Sequence, residues 1–425
     1  MPQHAHADRR WLILSAVSVG TFMATLDGSI VNIALPRIQS SFGIDLAVVE
    51  WVPIAYLVVV GSVLLPFGRL GEVLTFRRVY LTGFVVFTLA SVLCGAAPAA
   101  EALIGFRVLQ GVGAGMLQAM GPAIIARTFG PGERGRALGL LAISVSLGLT
   151  MGPVLGGVLT EAATWRAVFL VNLPVGVFAI LWAMRVLPEE QPTGGQRFDI
   201  PGAALSGIAL FTLLLALTQG ESMGWTSLPI LALVGVCLVA AALFLRVELR
   251  AVQPMIDLRL FAIRAFSAGN VSVVIVFSGL FTATFLLPFL LENGAGYQPI
   301  ETGLLLTPVP IVGALVGPFS GALSDRIGSR LPASAGVAVM AVGMVALSQL
   351  PPGFEPIDLV WRLALVGLGQ GLFMPPNSSA VLSSVPRPRI GTASGTLAQM
   401  RIVGQALGIA ASGAIVAARV PFHMT

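Results

Sequence analysis

The stretch GVGAGMLQAMGP, Gly111–Pro122, has an echo in GLGQGLFMPPNS, Gly367–Ser378, 256 residues later. FGPGERGRA, Phe129–Ala137, and VPRPRIGTA, Val385–Ala393, repeat at the same offset. GRLGEVLTFRR, Gly68–Arg78, and GALSDRIGSR, Gly321–Arg330, repeat at an offset of 253. Glycine-rich faces recur wherever helices pack closely, because small residues let backbones approach. One such match is weak; three pairs in the same order at nearly one offset mark an internal duplication.

The chain around these repeats has 425 residues, of which 56% are hydrophobic and 10% charged. A soluble domain carries about 25% charged residues, so this composition describes a membrane protein throughout. A helix crossing ~30 Å of hydrocarbon needs ~20 apolar residues. On that measure the sequence predicts thirteen spans, near 11–35, 47–67, 79–98, 102–127, 137–161, 165–187, 200–220, 227–246, 266–291, 300–323, 332–350, 357–383 and 391–418. The basic residues test the threading. All 24 are arginine; with the N-terminus inside, eighteen fall in inner loops and only Arg37, Arg166 and Arg419 fall outside. That is the bias expected of cytoplasmic loops. Arg107, Arg362 and Arg401 remain within spans. The same threading leaves the C-terminus of the sequence outside. A net charge of +5 is thereby accounted for by topology, and no nucleic-acid partner is expected.

Repeats separated by an even number of helices face the same side of the membrane, so these are parallel repeats, as in two-half transporters. The expected organisation is an N-terminal half over 1–188, two linking helices within 189–254, and a C-terminal half over 255–425.

Some residue classes exclude functions. Cys94 and Cys237 lie in apolar runs and read as small buried hydrophobes, and the three histidines, His4, His6 and His423, lie near the termini. No metal cluster or nucleophile–base pair emerges, so neither an enzyme nor a metal cofactor is expected. The opening DRRWLIL resembles an export signal, but the apolar run continues without a cleavage site and reads as a first span.

One carboxylate stands out. Asp27 sits inside the first span, within TLDGSIVNIALP, Thr25–Pro36. A charge at mid-bilayer costs roughly 2.5–3.5 kcal/mol on insertion scales, and such groups generally mark ion or substrate paths. Asp27 reads either as an exchange site for a proton and a cationic substrate or as a structural partner of Arg107. Asn32 is expected to line the same cavity, and Gln110, one turn from Arg107, to share its network. In GLTMGPVLGG, Pro153 breaks a backbone hydrogen bond, and Gly148, Gly152, Gly156 and Gly157 read either as a hinge and seal in close contact between the halves or as ordinary glycine packing. Trp165, Trp225, Trp361 and Tyr56 read as interfacial-belt or packing residues.

These motifs together resemble the major facilitator superfamily, and within it the fourteen-helix drug:proton antiporters of the EmrB/QacA type. The resemblance runs from LDGSIVNIALP through RVLQGVGAG, GLTMGPVLGG, WRAVFLVNLPVG, FDIPGAAL and PMIDLRLFAIRAFS to GTASGTLAQMRIVGQALGIA. It implies an all-α polytopic fold of two helical halves plus two intervening helices. It also implies proton-coupled export of drugs or other amphiphilic small molecules, with Asp27 and Arg107 in coupling and no cofactor beyond protons. Asn32, Gln110, Glu292 and Arg401 would line the substrate cavity. Gly68, Glu72, Arg77, Arg78, Asp325, Arg326 and Arg330 would form the cytoplasmic gate. The expected setting is a monomer in the cell membrane with a small-molecule substrate, the N-terminus cytoplasmic.

The sequence departs from the family pattern in three places. Glu72, Val73 and Thr75 replace the usual aspartate, basic residue and glycine of the first gate loop, so Glu72 is expected to work with Arg77 or Arg78. Glu292 stands where the family has glutamine. The fourteenth helix is missing, which suggests truncation. Two alternatives to proton-driven multidrug export stay open: a non-transporting binding or sensing protein, and an exporter of one metabolite.

Overall fold

The computed structural model describes residues 2–130, 132–189, 198–251, 254–297, 299–351 and 353–419. Thirteen long helices organise them. These are α1 Pro2–Phe42, α2 Trp51–Val73, α3 Phe76–Gly95, α4 Ala100–Thr128, α5 Arg134–Ala162, α6 Asn172–Val186, α7 Ile200–Met223, α8 Leu228–Glu248, α9 Arg264–Phe289, α10 Pro308–Ile327, α11 Arg330–Ser348, α12 Pro356–Ser383 and α13 Ile390–Arg419. Short helices at Ala167–Leu170 and Pro299–Leu306 lead into α6 and α10. Twelve segments among the described residues are long and apolar enough to cross a membrane. The thirteenth helix, α13, is 30 residues long.

Local chemistry sets the helix ends. The Thr75 hydroxyl accepts from the backbone N–H of Arg78 at 3.1 Å, and the Asp199 carboxylate from Gly202 N–H at 3.0 Å, as N-caps do. Gly224 and Gly328 end α7 and α10 at φ of +84° and +86°, a region that glycine enters without a Cβ penalty. Pro308 follows directly on the break at Thr307, where a proline's missing N–H costs nothing.

The duplication is visible in the packing. In the first half α1 lies on α5, and α4 lies on both α2 and α3. In the second half α9 lies on α13, and α12 on α10 and α11. The paired glycines of the repeat make equivalent contacts. Gly113 backs onto Phe87 across from Gly83, and Gly369 onto Met340 across from Gly336. Two seams join the halves, α2 against α13 and α5 against α10, and they exchange under the repeat. Helix α4 is the most enclosed span, 67% buried in its apolar window, whereas α8 is 11% buried. Helix α7 packs on α2 and α13 at once and carries α8 on its outer side. Leu228, Leu238 and Val239 of α8 point outward, as residues facing lipid do.

A buried carboxylate network and two capped seams

Asp27 of α1 is fully buried, yet its carboxylate is satisfied three times. It accepts from Arg107 Nη1 at 2.5 Å, from Gln110 Nε2 at 2.8 Å and from Asn172 Nδ2 at 3.1 Å. Arg107 and Gln110 are three residues apart on α4, which places them on one helix face. Arg107 Nε also donates to the Val52 carbonyl at 3.1 Å, and its Nη1 to Gln110 Oε1 at 2.7 Å. Its guanidinium lies over the Tyr56 ring, 4.1 Å from the centroid, an arrangement that favours a desolvated cation. Tyr56 Oη in turn donates to the Ala24 carbonyl, one turn before Asp27, at 3.0 Å. Asn172 also donates to Ser91 Oγ at 3.0 Å, and the Cys94 thiol approaches Gln110 Oε1 at 3.6 Å. Five helices thus converge on one carboxylate. A buried ion pair is costly to desolvate and is held only where further hydrogen bonds complete it; here they do.

The second constellation lies where the two seams end, on the side of the α2–α3 and α10–α11 loops. Glu72, 6% exposed, accepts from Arg69 Nη1 at 2.7 Å and from the backbone N–H of Thr392 at 2.6 Å. Thr392 lies in the first turn of α13. The second-half copy mirrors this: Asp325 accepts from the N–H groups of Gly135 and Arg136, in the first turn of α5, at 2.9 and 3.0 Å. Each half therefore places a carboxylate on the N-terminus of a helix from the other half, where free N–H groups and the helix dipole favour negative charge. Glycines make the approach possible. A Cβ on Gly68 would overlap the Gly391 carbonyl, and one on Gly135 the Gly321 carbonyl. Arg134 adds a further tie, donating to Ser383 Oγ and to the Ala126 carbonyl, each at 2.6 Å.

The Major Facilitator Superfamily profile matches residues 17–409. The chain belongs to this superfamily. The riboflavin transporter RibZ of Clostridioides difficile (strain 630) is 35% identical over 409 residues, covering 95% of this chain and 87% of the relative. Multidrug resistance protein Stp of Mycobacterium tuberculosis (strain ATCC 25618 / H37Rv) is 34% identical over 408 residues, covering 96% and 76%. The crystal structure of the human organic anion transporter MFSD10 (TETRAN) superposes with a TM-score of 0.69 at 16% identity, covering 96% of this chain and 94% of that one. That last likeness concerns the fold. The chain is a multi-pass membrane protein of a superfamily whose matched members are transporters.

Within this superfamily fold, several sequence expectations change. Asn32 is exposed and outside the Asp27 network; five residues turn about 140° around a helix, so it faces away from Asp27. Gly148, Gly152 and Gly156 do not meet the other half. They pack on α1, against Thr25 and Leu26, Ser29 and Ile30, and Ile30 and Ile33. Ser29 Oγ donates to the Gly148 carbonyl at 2.9 Å. The spacing of four residues makes a continuous small-residue stripe, and α1 is the helix that fills it. A Cβ on Gly157 would meet nothing within 4 Å. The glycines that do face the other half from α5 are Gly135 and Gly139, against Gly321 and Gly317.

Glu72 works with Arg69, not with Arg77 or Arg78. Arg77 instead pairs with Glu189 and donates to the Met184 carbonyl at 2.8 Å, while Arg78 is exposed. Arg69 falls inside α2, where an i,i+3 pair with Glu72 is geometrically natural. Arg326 and Arg330 are exposed beside Asp325. Of the belt and packing alternatives, Tyr56 and Trp165 follow the packing one, at 2% and 5% exposure, while Trp225 and Trp361 are exposed. Arg401 donates to the neutral Gln118 Oε1 at 3.3 Å. Glu292 lies in the π-helical turn Leu290–Gly294; its side chain, like that of Pro153, lies outside the described residues.

Asn172 was not singled out from sequence. Its one signal is a polar side chain at the start of an apolar span, two residues before Pro174 and four before Gly176 in WRAVFLVNLPVG.

Proposed function

We propose that this chain is a proton-coupled antiporter of the fourteen-helix drug-export type, moving amphiphilic small molecules out of the cell by alternating access. The observation that carries this reading is the fully buried Asp27–Arg107 pair, closed by Gln110 and Asn172. A carboxylate so enclosed is useful for exchange because a proton can replace the arginine as its partner. Once neutral, Asp27 releases Arg107, which keeps Gln110 Oε1, the Val52 carbonyl and the Tyr56 face. Protonation therefore changes the tie between α1 and α4 without leaving the guanidinium stranded. Helix α1 also carries the α5 glycine stripe, and α5 forms one of the two seams. A shift of α1 thus bears directly on how the halves meet.

In this reading the capped seams are the inner gate, held shut by Glu72 and Asp325. Arginines crowd that end at 69, 77, 78, 134, 136, 326, 330, 387 and 389, which supports a cytoplasmic assignment and a cytoplasmic N-terminus. The membrane potential adds ~2.3 kcal/mol per charge per 100 mV to the inward proton. A second reading, export of one metabolite, is supported by the similarity to a riboflavin transporter. The test is dye efflux from cells expressing the chain. Efflux that stops when a protonophore collapses the gradient supports proton-driven export. Efflux that persists removes proton coupling, and no efflux of any dye removes the multidrug reading.

A further inference from the structure

The coupling site leaves Arg401 without a task. It lies on α13, eleven residues after Ile390, about 16 Å along the axis from the capped end at 1.5 Å per residue. Gln118 lies on α4, ten residues before Thr128, about 15 Å from the same end. Both sit near the middle of a ~30 Å hydrocarbon core. Gln118 comes from the first half and Arg401 from the second, so their 3.3 Å contact spans the two. Ser394, two turns earlier on the same face of α13, donates to the Ala119 carbonyl at 2.8 Å. This face of α13 therefore looks onto α4.

Three other arginines inside helices are paired with carboxylates. Arg107 pairs with Asp27, Arg69 with Glu72 and Arg362 with Asp358. Arg401 meets an amide instead, and among the described residues no carboxylate pairs with it. A guanidinium stays charged at any physiological pH, and its five N–H donors form a fork that fits carboxylate geometry. One donor is used here. A fixed positive charge at mid-membrane repels a cation and attracts an anion with little competition from water.

We propose that Arg401, with Gln118 beside it, is the recognition point for an anionic group on the transported molecule, so that the preferred substrates are anionic amphiphiles. This rests on the transport reading above and names its substrate class. An anion bound here touches both halves, and its contacts change as they move.

The test uses the full chain in lipid nanodiscs and two xanthene dyes of similar shape and opposite charge, fluorescein and rhodamine 6G. Binding is read by fluorescence anisotropy against empty nanodiscs. The wild type is expected to bind fluorescein more tightly than rhodamine 6G. Arg401→Gln should weaken fluorescein at least tenfold and leave rhodamine 6G unchanged or tighter, and Arg401→Lys should recover part of the loss. Gln118→Glu, which sets a carboxylate beside an intact Arg401, should weaken fluorescein as Arg401→Gln does, and it carries the test if Arg401→Gln does not give a monodisperse protein. Fluorescein binding within twofold of wild type in the variants, equal loss of both dyes, or wild-type binding of fluorescein no tighter than rhodamine 6G would each overturn the proposal. Binding equilibria need no proton coupling, so this result and the fate of the antiport reading are separable.

Discussion

Replacing Glu72 by glutamine removes one negative charge from the α2–α13 seam and changes almost nothing in size. The glutamine oxygen can still accept from Thr392 N–H, but its amide then faces Arg69 donor to donor. The lost charged hydrogen bond to Arg69, 2.7 Å in the native seam, is worth about 1.5–3 kcal/mol. The lost anion at the start of α13 is worth about 0.3–1 kcal/mol more. Together the closed seam loses about 2–4 kcal/mol. At 1.4 kcal/mol per factor of ten, the ratio of open to closed protein at this end rises about 30- to 700-fold. The assay is electron–electron double resonance between spin labels at Leu74 and Ile327, exposed positions on the two halves at this end, after Cys237→Ser. Cys94 is buried and stays. The wild type is expected to give one short distance; Glu72→Gln should add a longer population, and Asp325→Asn should do the same from the other seam. An unchanged distance distribution in Glu72→Gln would show that the carboxylate cap does not hold the halves together.

Two further predictions concern α1. Gly152→Val pushes a side chain into Ser29 and Ile30, and overpacking of this kind costs about 1–3 kcal/mol; scanning fluorimetry should show a lower melting temperature, whereas Gly157→Ala, with open space around it, should not. Asn172→Leu removes the 3.1 Å bond to Asp27 and the 3.0 Å bond to Ser91, worth about 1.5–3 kcal/mol for the charged one. Proton flux in proteoliposomes should fall about tenfold or more, and a wild-type rate would show that Asn172 does not position Asp27.

The readable parts of this molecule are those written in short windows. Helix positions follow from apolar runs, although α1 extends past its expected span at both ends and α6 and α10 begin seven and eight residues later than expected, after the short helices that lead into them. The duplication was legible because glycines at close approaches cannot be replaced cheaply: Gly68 and Gly391, or Gly135 and Gly321, meet backbone to backbone. Asp27, Arg107 and Gln110 were legible as a group because charge inside an apolar run is rare and two of them share a helix turn. Asn172 was not, since 145 residues separate it from Asp27 and an asparagine at a helix start ordinarily reads as a cap. The direction of the α5 glycine stripe was also hidden. A helix face of small residues announces a close neighbour but not which one, and the neighbour is α1. Arg69 was placed in a loop because α2 runs past the end of its apolar stretch to Val73; once the helix is extended, the pairing with Glu72 follows from spacing alone.

Export by this route requires Asp27 to exchange its arginine for a proton. That exchange is tested most directly by proton movement into pyranine-loaded proteoliposomes on addition of a transported dye, with fluorescein and rhodamine 6G tried separately. Dye-dependent proton flux is expected in the wild type and none in Asp27→Asn, with dye binding retained. Wild-type proton flux in Asp27→Asn would contradict it.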